Sequence, residues 1–161
     1  YMTKKLDYKI EQINHKEIKI KNSGIIKIDL DEFVGPTRQL IITVEKYDNI
    51  VNNLYFKYLP IKEISLILNK IKRKDKISGV LIHNKSSNLN YTKNIYCIPF
   101  ELKSNDAYQN SGSYNFSETN NNYIELFMKE EYIDTNLVIN VYGPYYNQLK
   151  INNGQFDVVF N

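Results

Sequence analysis

The sequence predicts an all-β domain, an antiparallel sandwich or barrel, on three observations. Apolar residues recur with a period of two. Strand-favouring residues are abundant, with 14 Tyr, 7 Phe and many Ile. Turn signals built from Gly, Pro, Asn and Ser cut the chain at short intervals. Side chains that alternate along an extended chain place one face on a core and the other on solvent or a second layer.

The elements follow in order. Two strands are expected near 6–13 and 16–20, ahead of the turn signal Asn22-Ser23-Gly24. Ile26, Ile28 and Leu30 alternate with Lys27 and Asp29, which gives a strand over 25–33. Gly35-Pro36-Thr37 separates it from a strand over 38–46, where Leu40, Ile42 and Val44 share one face. The segment 61–71 fits two periods: Ile61, Ile64, Leu68 and Ile71 make a helical stripe, whereas Ile64, Leu66 and Leu68 make a strand face. Pro60 suits the start of either. The Ile content and the β character of the rest favour a strand over 62–69. The polar stretch Asn84 to Asn94 reads as a long loop, and Asn120-Asn121-Asn122 as another. Tyr96, Ile98, Phe100 and Leu102 define a strand over 94–102. Ser111-Gly112-Ser113 follows, and then a bent or interrupted strand over 113–129 with Ile124, Leu126 and Met128 on one face. Leu137, Ile139 and Val141 define a strand over 136–142. Gly143-Pro144 breaks it from a last one near 147–160, punctuated by Asn152-Asn153-Gly154. The count is about eight strands up to 142, with the last one near 147–160 added.

Length and composition narrow the function classes. A chain of 161 residues is one ordinary domain and can bury a sizeable core without a disulfide or metal staple. A net charge of +3 is too small for a dedicated nucleic-acid binder, so no specific nucleic acid is expected. Cys97 is alone, which excludes a disulfide within the chain and a multi-cysteine zinc site. His15 and His83 cannot by themselves build a histidine-rich metal centre. The Ile, Asn and Lys skew reflects AT-rich codons more than function. No apolar run approaches the ~20 residues needed to cross a bilayer. The start Tyr1-Met2-Thr3-Lys4 is no signal peptide, so an intracellular product is expected and the sequons at Asn84, Asn90 and Asn115 are read as accidents of Asn abundance.

No constellation assembles a catalytic, cofactor or metal site. The basic run from Lys70 to Lys76 lacks interleaved aromatic residues and reads as a solvated loop between strands, its lysines discouraging edge pairing. Asp29 and Asp31, with Glu32, read as a solvent face lacking the glycine-bearing loop that calcium prefers. Glu130, Glu131 and Asp134 sit in a turn-like, solvated segment. Cys97 falls in an apolar strand and reads as a buried, inert thiol. The glycines are scattered singly, so no phosphate loop is formed. Tyr142, Tyr145 and Tyr146 could line a sugar-binding face or fill core and interface. A chain of this kind binds or assembles rather than catalyses.

Several motifs go further. Ile95-Tyr96-Cys97-Ile98-Pro99-Phe100-Glu101-Leu102 is followed by Ser111-Gly112-Ser113-Tyr114-Asn115-Phe116-Ser117. Then comes Tyr142-Gly143-Pro144-Tyr145-Tyr146-Asn147-Gln148-Leu149-Lys150-Ile151, with Gly154 just after. Upstream stand Gly35-Pro36-Thr37-Arg38-Gln39-Leu40-Ile41-Ile42-Thr43-Val44 and Ile64-Ser65-Leu66-Ile67-Leu68-Asn69. This ordered set resembles the closing part of the major capsid proteins of nucleocytoplasmic large DNA viruses. It departs from the family pattern at Ile42-Thr43, where Trp is frequent, at Pro144, and at Gln109-Asn110, where Pro is common. The resemblance implies an eight-stranded antiparallel jelly-roll sandwich over 1–161, the C-terminal half of a double jelly roll within a longer subunit. It also implies a strand, not a helix, at 64–69. By the same resemblance the full-length subunit forms a homotrimer, a pseudo-hexagonal capsomer of an icosahedral shell. Its partners would be neighbouring capsomers and minor capsid proteins, with an internal membrane nearby, and its place the virion, assembled in the host cytoplasm. A poxvirus-type scaffold of the same fold, shaping the immature virion membrane, is the alternative, and a carbohydrate-binding jelly roll a further one. Ser111 to Ser117 is expected to be a structural turn, with Gly112 supplying backbone freedom and Asn115 and Ser117 bonding local backbone.

Overall fold

A computed structural model of the chain describes residues 5–54, 56–79, 94–101 and 112–160. Two antiparallel sheets pack face to face. The first is built on β1 (Leu6–Lys21), β10 (Asn136–Asn152), β4 (Gln39–Lys46) and β7 (Tyr96–Pro99), in that spatial order. The second runs β2 (Ile25–Asp29), β9 (Tyr123–Met128), β5 (Ile61–Leu68) and β6 (Ile71–Ser78). Three short strands extend the first sheet along the far half of β10: β3 (Pro36–Thr37), β8 (Tyr114–Asn115) and β11 (Gln155–Val158). Counting only the eight main strands in chain order, the sheets read 1-8-3-6 and 2-7-4-5, and every neighbour pair is antiparallel. That interleaving of first with last strand is the jelly roll, two Greek keys folded into a sandwich.

The period-two alternation builds the core. Ile26, Ile28 and Leu30 meet Leu40, Ile42 and Val44, with Ile64, Leu66, Leu68, Ile124, Leu126, Leu137, Ile139 and Val141 between the layers, all buried. The segment 61–68 is a strand, in keeping with its Ile content. Cys97 is buried as expected. The run 113–129 is interrupted, its two strands separated by a 3₁₀ turn over Phe116–Glu118.

The strand expected over 94–102 is confined to Tyr96–Pro99 among the described residues, and four other boundaries differ from the sequence expectation. The strands expected at 6–13 and 16–20 are one, because Asn14 and His15 hold extended backbone paired to Gly143 and Tyr142. The last two strands likewise merge through Gly143-Pro144, and the chain turns instead at Asn153-Gly154, both at positive φ (51° and 80°). Pro144 is tolerated mid-strand because no donor is needed there. Its carbonyl accepts from the Arg38 amide at 2.9 Å, while the Arg38 carbonyl, which a residue with an N–H would have served, accepts from Phe100 at 2.8 Å. The strand over 25–33 stops at Asp29, whose carboxylate accepts the Asp31 amide at 2.7 Å and turns the chain.

The basic run is the fourth of these. It is not a loop but β6, an edge strand folded back on β5 through Asn69 and Lys70, both left-handed (φ 51° and 64°). That is the backbone of a tight two-residue hairpin, carried here by Asn-Lys rather than the usual Asn-Gly. Its lysines still guard the sheet edge, now from within the strand itself. A five-residue helix, α1 (Tyr47–Val51), follows β4 and has no counterpart in the sequence expectation. His83, Asn84, Asn90, Leu102, Gln109-Asn110 and Ser111 lie outside the described residues, as does the expected loop 84–94 except for Asn94.

Candidate functional site

The motifs singled out in the sequence converge on one end of the sandwich. Pro36 of β3 pairs with Asn115 of β8, and Thr37 pairs with both Tyr114 and Tyr145 of β10. Gly35 sits at φ 73°, and a Cβ there would run into the Tyr145 ring, so the close approach of these segments requires glycine. The Gly35 amide donates to Ser117 Oγ at 2.8 Å, and the Gly35 carbonyl accepts from the Phe116 amide at 3.1 Å. Phe116 is buried, edge-on to Phe33 and Tyr114 at 5.7 and 4.9 Å. Asn115 Oδ1 accepts the Ser117 amide, the local bond expected of it. Ser117 does something else: its hydroxyl reaches a residue 82 positions away and locks two loops together.

Beside this junction lies Asn122, fully buried. Its Oδ1 accepts from the Asn69 amide and the Tyr114 hydroxyl, both at 3.0 Å, and its Nδ2 donates to Thr119 Oγ1 at 3.2 Å. Its carbonyl accepts from Leu30 at 2.8 Å, and its amide donates to Asp31 at 2.7 Å. Asp31, a carboxylate weighed as a cation ligand, is therefore spent on the amides of Asn121 and Asn122. Among the described residues no group of three or more His, Cys, Asp or Glu could hold a metal ion.

On the outer face of the first sheet, Arg38 makes a two-pronged ion pair with Glu101. The Nε–Oε1 distance is 2.6 Å and the second prong 3.1 Å, with the side chains 12% and 1% exposed. Arg38 also donates to Glu11 of β1 at 3.1 Å and lies over the Tyr146 ring, which Lys9 covers at 3.6 Å. The Glu101 carboxylate holds the guanidinium more firmly protonated than usual, and burial pushes the Tyr146 phenol above its ordinary value. Neither Arg38–Glu101 nor Asn122 stands out in the sequence as a site. The available signal was a lone Glu inside the apolar run Pro99 to Leu102, which demands a buried cation.

The three C-terminal tyrosines do not share a face. Tyr145 points inward and donates to Gln12 Oε1 at 3.0 Å, while Tyr142 and Tyr146 point outward. Tyr142 is stacked on His15 at 4.6 Å, and Tyr146 is capped by Lys9. Successive residues of a strand point to opposite sides, so a three-tyrosine sugar platform is not formed. Glu130 and Glu131 lie in a 3₁₀ turn, and Asp134 is exposed beside Lys21 at 3.1 Å.

A hydroxyl in the junction is poorly used. Thr37 is fully buried and its Oγ1 has no hydrogen-bond partner among the described residues. Thr37→Val keeps the shape and removes an unsatisfied group, so it should leave stability unchanged or raise it by about 1 kcal/mol. Urea denaturation checks this; a loss of stability would mean that the hydroxyl is bonded in solution.

The arrangement is a set of loop junctions tied by backbone and side-chain hydrogen bonds, with no cluster of candidate metal ligands among the described residues. No protein-family model matches the sequence, and no curated protein does. Solved structures do. The PBCV-1 protein VP54 matches with a TM-score of 0.73 at 18% identity, over 96% of this chain and 51% of that one. The Faustovirus major capsid protein matches with a TM-score of 0.76 at 10% identity, over 90% of this chain and 34% of that one. A structure of the Sputnik virophage matches at 0.55 and 13% identity, over 96% and 38%. The chain thus spans about half the length, or less, of the proteins it matches. At these identities the likeness establishes the jelly-roll fold.

Proposed function

We propose that the chain is one jelly roll, the C-terminal one, of a double jelly-roll major capsid protein. The observation that carries this reading is the structural likeness, over 96% and 90% of this jelly-roll chain, to PBCV-1 VP54 and the Faustovirus major capsid protein, which are about twice as long or longer. The quoted motifs support it further, because they meet at one structural junction. In this reading the full-length subunit forms a homotrimer with pseudo-hexagonal outline. Trimers contact neighbouring capsomers and minor capsid proteins, in a virion assembled in the host cytoplasm near an internal membrane. Function then resides in shape and polar edges, with no reaction and no cofactor, and 1–161 acts as a single domain of a longer product.

Light scattering on the complete native product tests it. The expected result is a stable trimer of a subunit well over twice 19.0 kDa, retained in mature particles. A trimer absent from mature particles would move the assignment to the scaffold of the same fold. A monomer of 19.0 kDa would overturn the assembly reading.

A further inference from the structure

We infer that β1 is a docking edge for a second copy of the same chain, pairing antiparallel to its own counterpart about a twofold axis at Ile13. This goes beyond the capsomer reading. A threefold contact joins two different patches, whereas this one joins a patch to itself.

β1 is 16 residues long and forms the edge of the first sheet, paired along its whole length to β10 and, among the described residues, on that side only. Such an edge presents a row of unsatisfied backbone groups and is normally guarded. The edge strand β6 of the other sheet is guarded, by its run of Lys and Arg. β1 instead carries both signs, which a second copy can match: Asp7, Glu11 and Glu17 are interspersed with Lys9, Lys16, Lys19 and Lys21. It also exposes Leu6, Tyr8, Ile13 and Ile20, with Ile13 at 65%.

One register satisfies these groups together. With Ile13 opposite Ile13 of the second copy, Lys9 faces Glu17, Asp7 faces Lys19 and Glu11 faces His15 on the outer side of the sheet. On the inner side Leu6 faces Ile20, Tyr8 faces Ile18 and Gln12 faces Asn14. Every exposed apolar residue of the strand gains an apolar partner, and between positions 7 and 19 the charges facing each other are opposite. Two mismatches remain: Ile10 against Lys16, softened because the Lys16 ammonium turns away to Glu32 at 3.2 Å, and Lys21 against Lys5 at each end, softened because the Lys21 ammonium turns to Asp134 at 3.1 Å. Glu17 and Lys19 now hold each other along the strand at 3.2 Å, fully in reach of an incoming partner. Glu11 already holds Arg38 through one oxygen. His15 accepts or donates at Nε2 with Asn140 at 2.9 Å.

Neighbouring registers fail. A slide of two residues one way sets Lys9 on Lys19 and Glu11 on Glu17; the other way sets Asp7 on Glu17 and Tyr8 on Lys16. Directly opposed like charges are destabilising in a ladder. A slip of one residue turns the apolar inner face of one copy against the polar outer face of the other.

Sedimentation equilibrium of the 161-residue chain, with cysteine cross-linking, tests the contact. The chain should show a concentration-dependent mass of twice 19.0 kDa. Ile13→Lys places two ammonium groups on the axis and should weaken the dimer by about 100-fold. Lys9→Glu should weaken it, and Lys9→Glu with Glu17→Lys should restore it, because the double reversal regenerates the opposed pairs. Ile13→Cys should form a disulfide dimer under mild oxidation, since opposed Cα atoms lie about 5 Å apart. Ile20→Cys alone should not cross-link, while Leu6→Cys with Ile20→Cys should. A chain that stays monomeric at about 1 mM, a dimer indifferent to Ile13→Lys, or cross-linking as efficient at Ile20 as at Ile13 would overturn the inference. None of these outcomes touches the trimer of the longer product, so the two readings fail separately.

Discussion

Phe116→Ala is expected to cost about 4 kcal/mol of stability, enough to lower the melting temperature by roughly 10 °C in a chain of this size. The ring is 2% exposed and fills the space between Phe33, Phe100 and Tyr114, at 5.7, 6.2 and 4.9 Å between centroids. Truncation leaves a cavity at the point where the loop before β3 meets the turn after β8. The Phe116 amide there donates to Gly35, and the neighbouring Ser117 hydroxyl accepts from the same glycine. The backbone hydrogen bonds restrain collapse, so the cavity stays open and the cost sits at the upper end of the range for a buried aromatic. Phe156→Ala is the control: that ring is 71% exposed, and its removal should change stability by less than about 0.5 kcal/mol. Thermal and urea unfolding of both variants decide it. A Phe116→Ala loss below about 1 kcal/mol would mean that the junction relaxes around the gap and is not a rigid anchor.

The sandwich was legible because its core is made by period two alone. Ile26, Ile28 and Leu30, or Leu137, Ile139 and Val141, need no long-range information to declare which face is buried. Boundaries were less legible, since they depend on partners. Gly143-Pro144 reads as a break, yet the chain runs straight through it because Arg38 redirects its carbonyl to Phe100. Asn69-Lys70 reads as the start of a basic loop, yet it is a hairpin turn that only the left-handed φ values reveal. The junction was legible as a set of motifs but not as a place. Residues 35–38, 64–69, 112–117 and 142–151 are far apart in sequence, and strand pairing unites the first and the last two. Asn69 enters through one hydrogen bond to Asn122, a residue hidden in a run of three asparagines that reads as solvent loop. The tyrosine cluster failed for the opposite reason. Adjacent positions read as one surface, but alternation turns Tyr145 to the inner face of the sheet and Tyr146 to the outer face, where Lys9 and Arg38 cover it.

The Arg38–Glu101 pair should show the largest coupling in the molecule. Glu101→Leu alone leaves a guanidinium that is 12% exposed with only the half-exposed Glu11 carboxylate, and should cost about 3–5 kcal/mol. Arg38→Met alone leaves Glu101, at 1% exposure, without its cation, and should cost a similar amount. The double variant removes both charges and replaces them with apolar volume, so it should recover most of the loss and end close to the stability of the parent chain. A double-mutant cycle by urea denaturation measures the difference directly. Additive losses would show that the two charges are solvated independently and that the short two-pronged geometry has no energetic role. Strong coupling has a structural corollary. Arg38 also reaches Glu11 on β1, so the pair ties the edge strand to the segment that closes β7. The double variant should therefore restore core stability but not the Glu11 bond. Hydrogen exchange at β1 amides separates the two effects: Arg38→Met, alone or in the double variant, should loosen residues near Glu11. In Glu101→Leu the Arg38–Glu11 bond survives, and those amides should keep more of their protection.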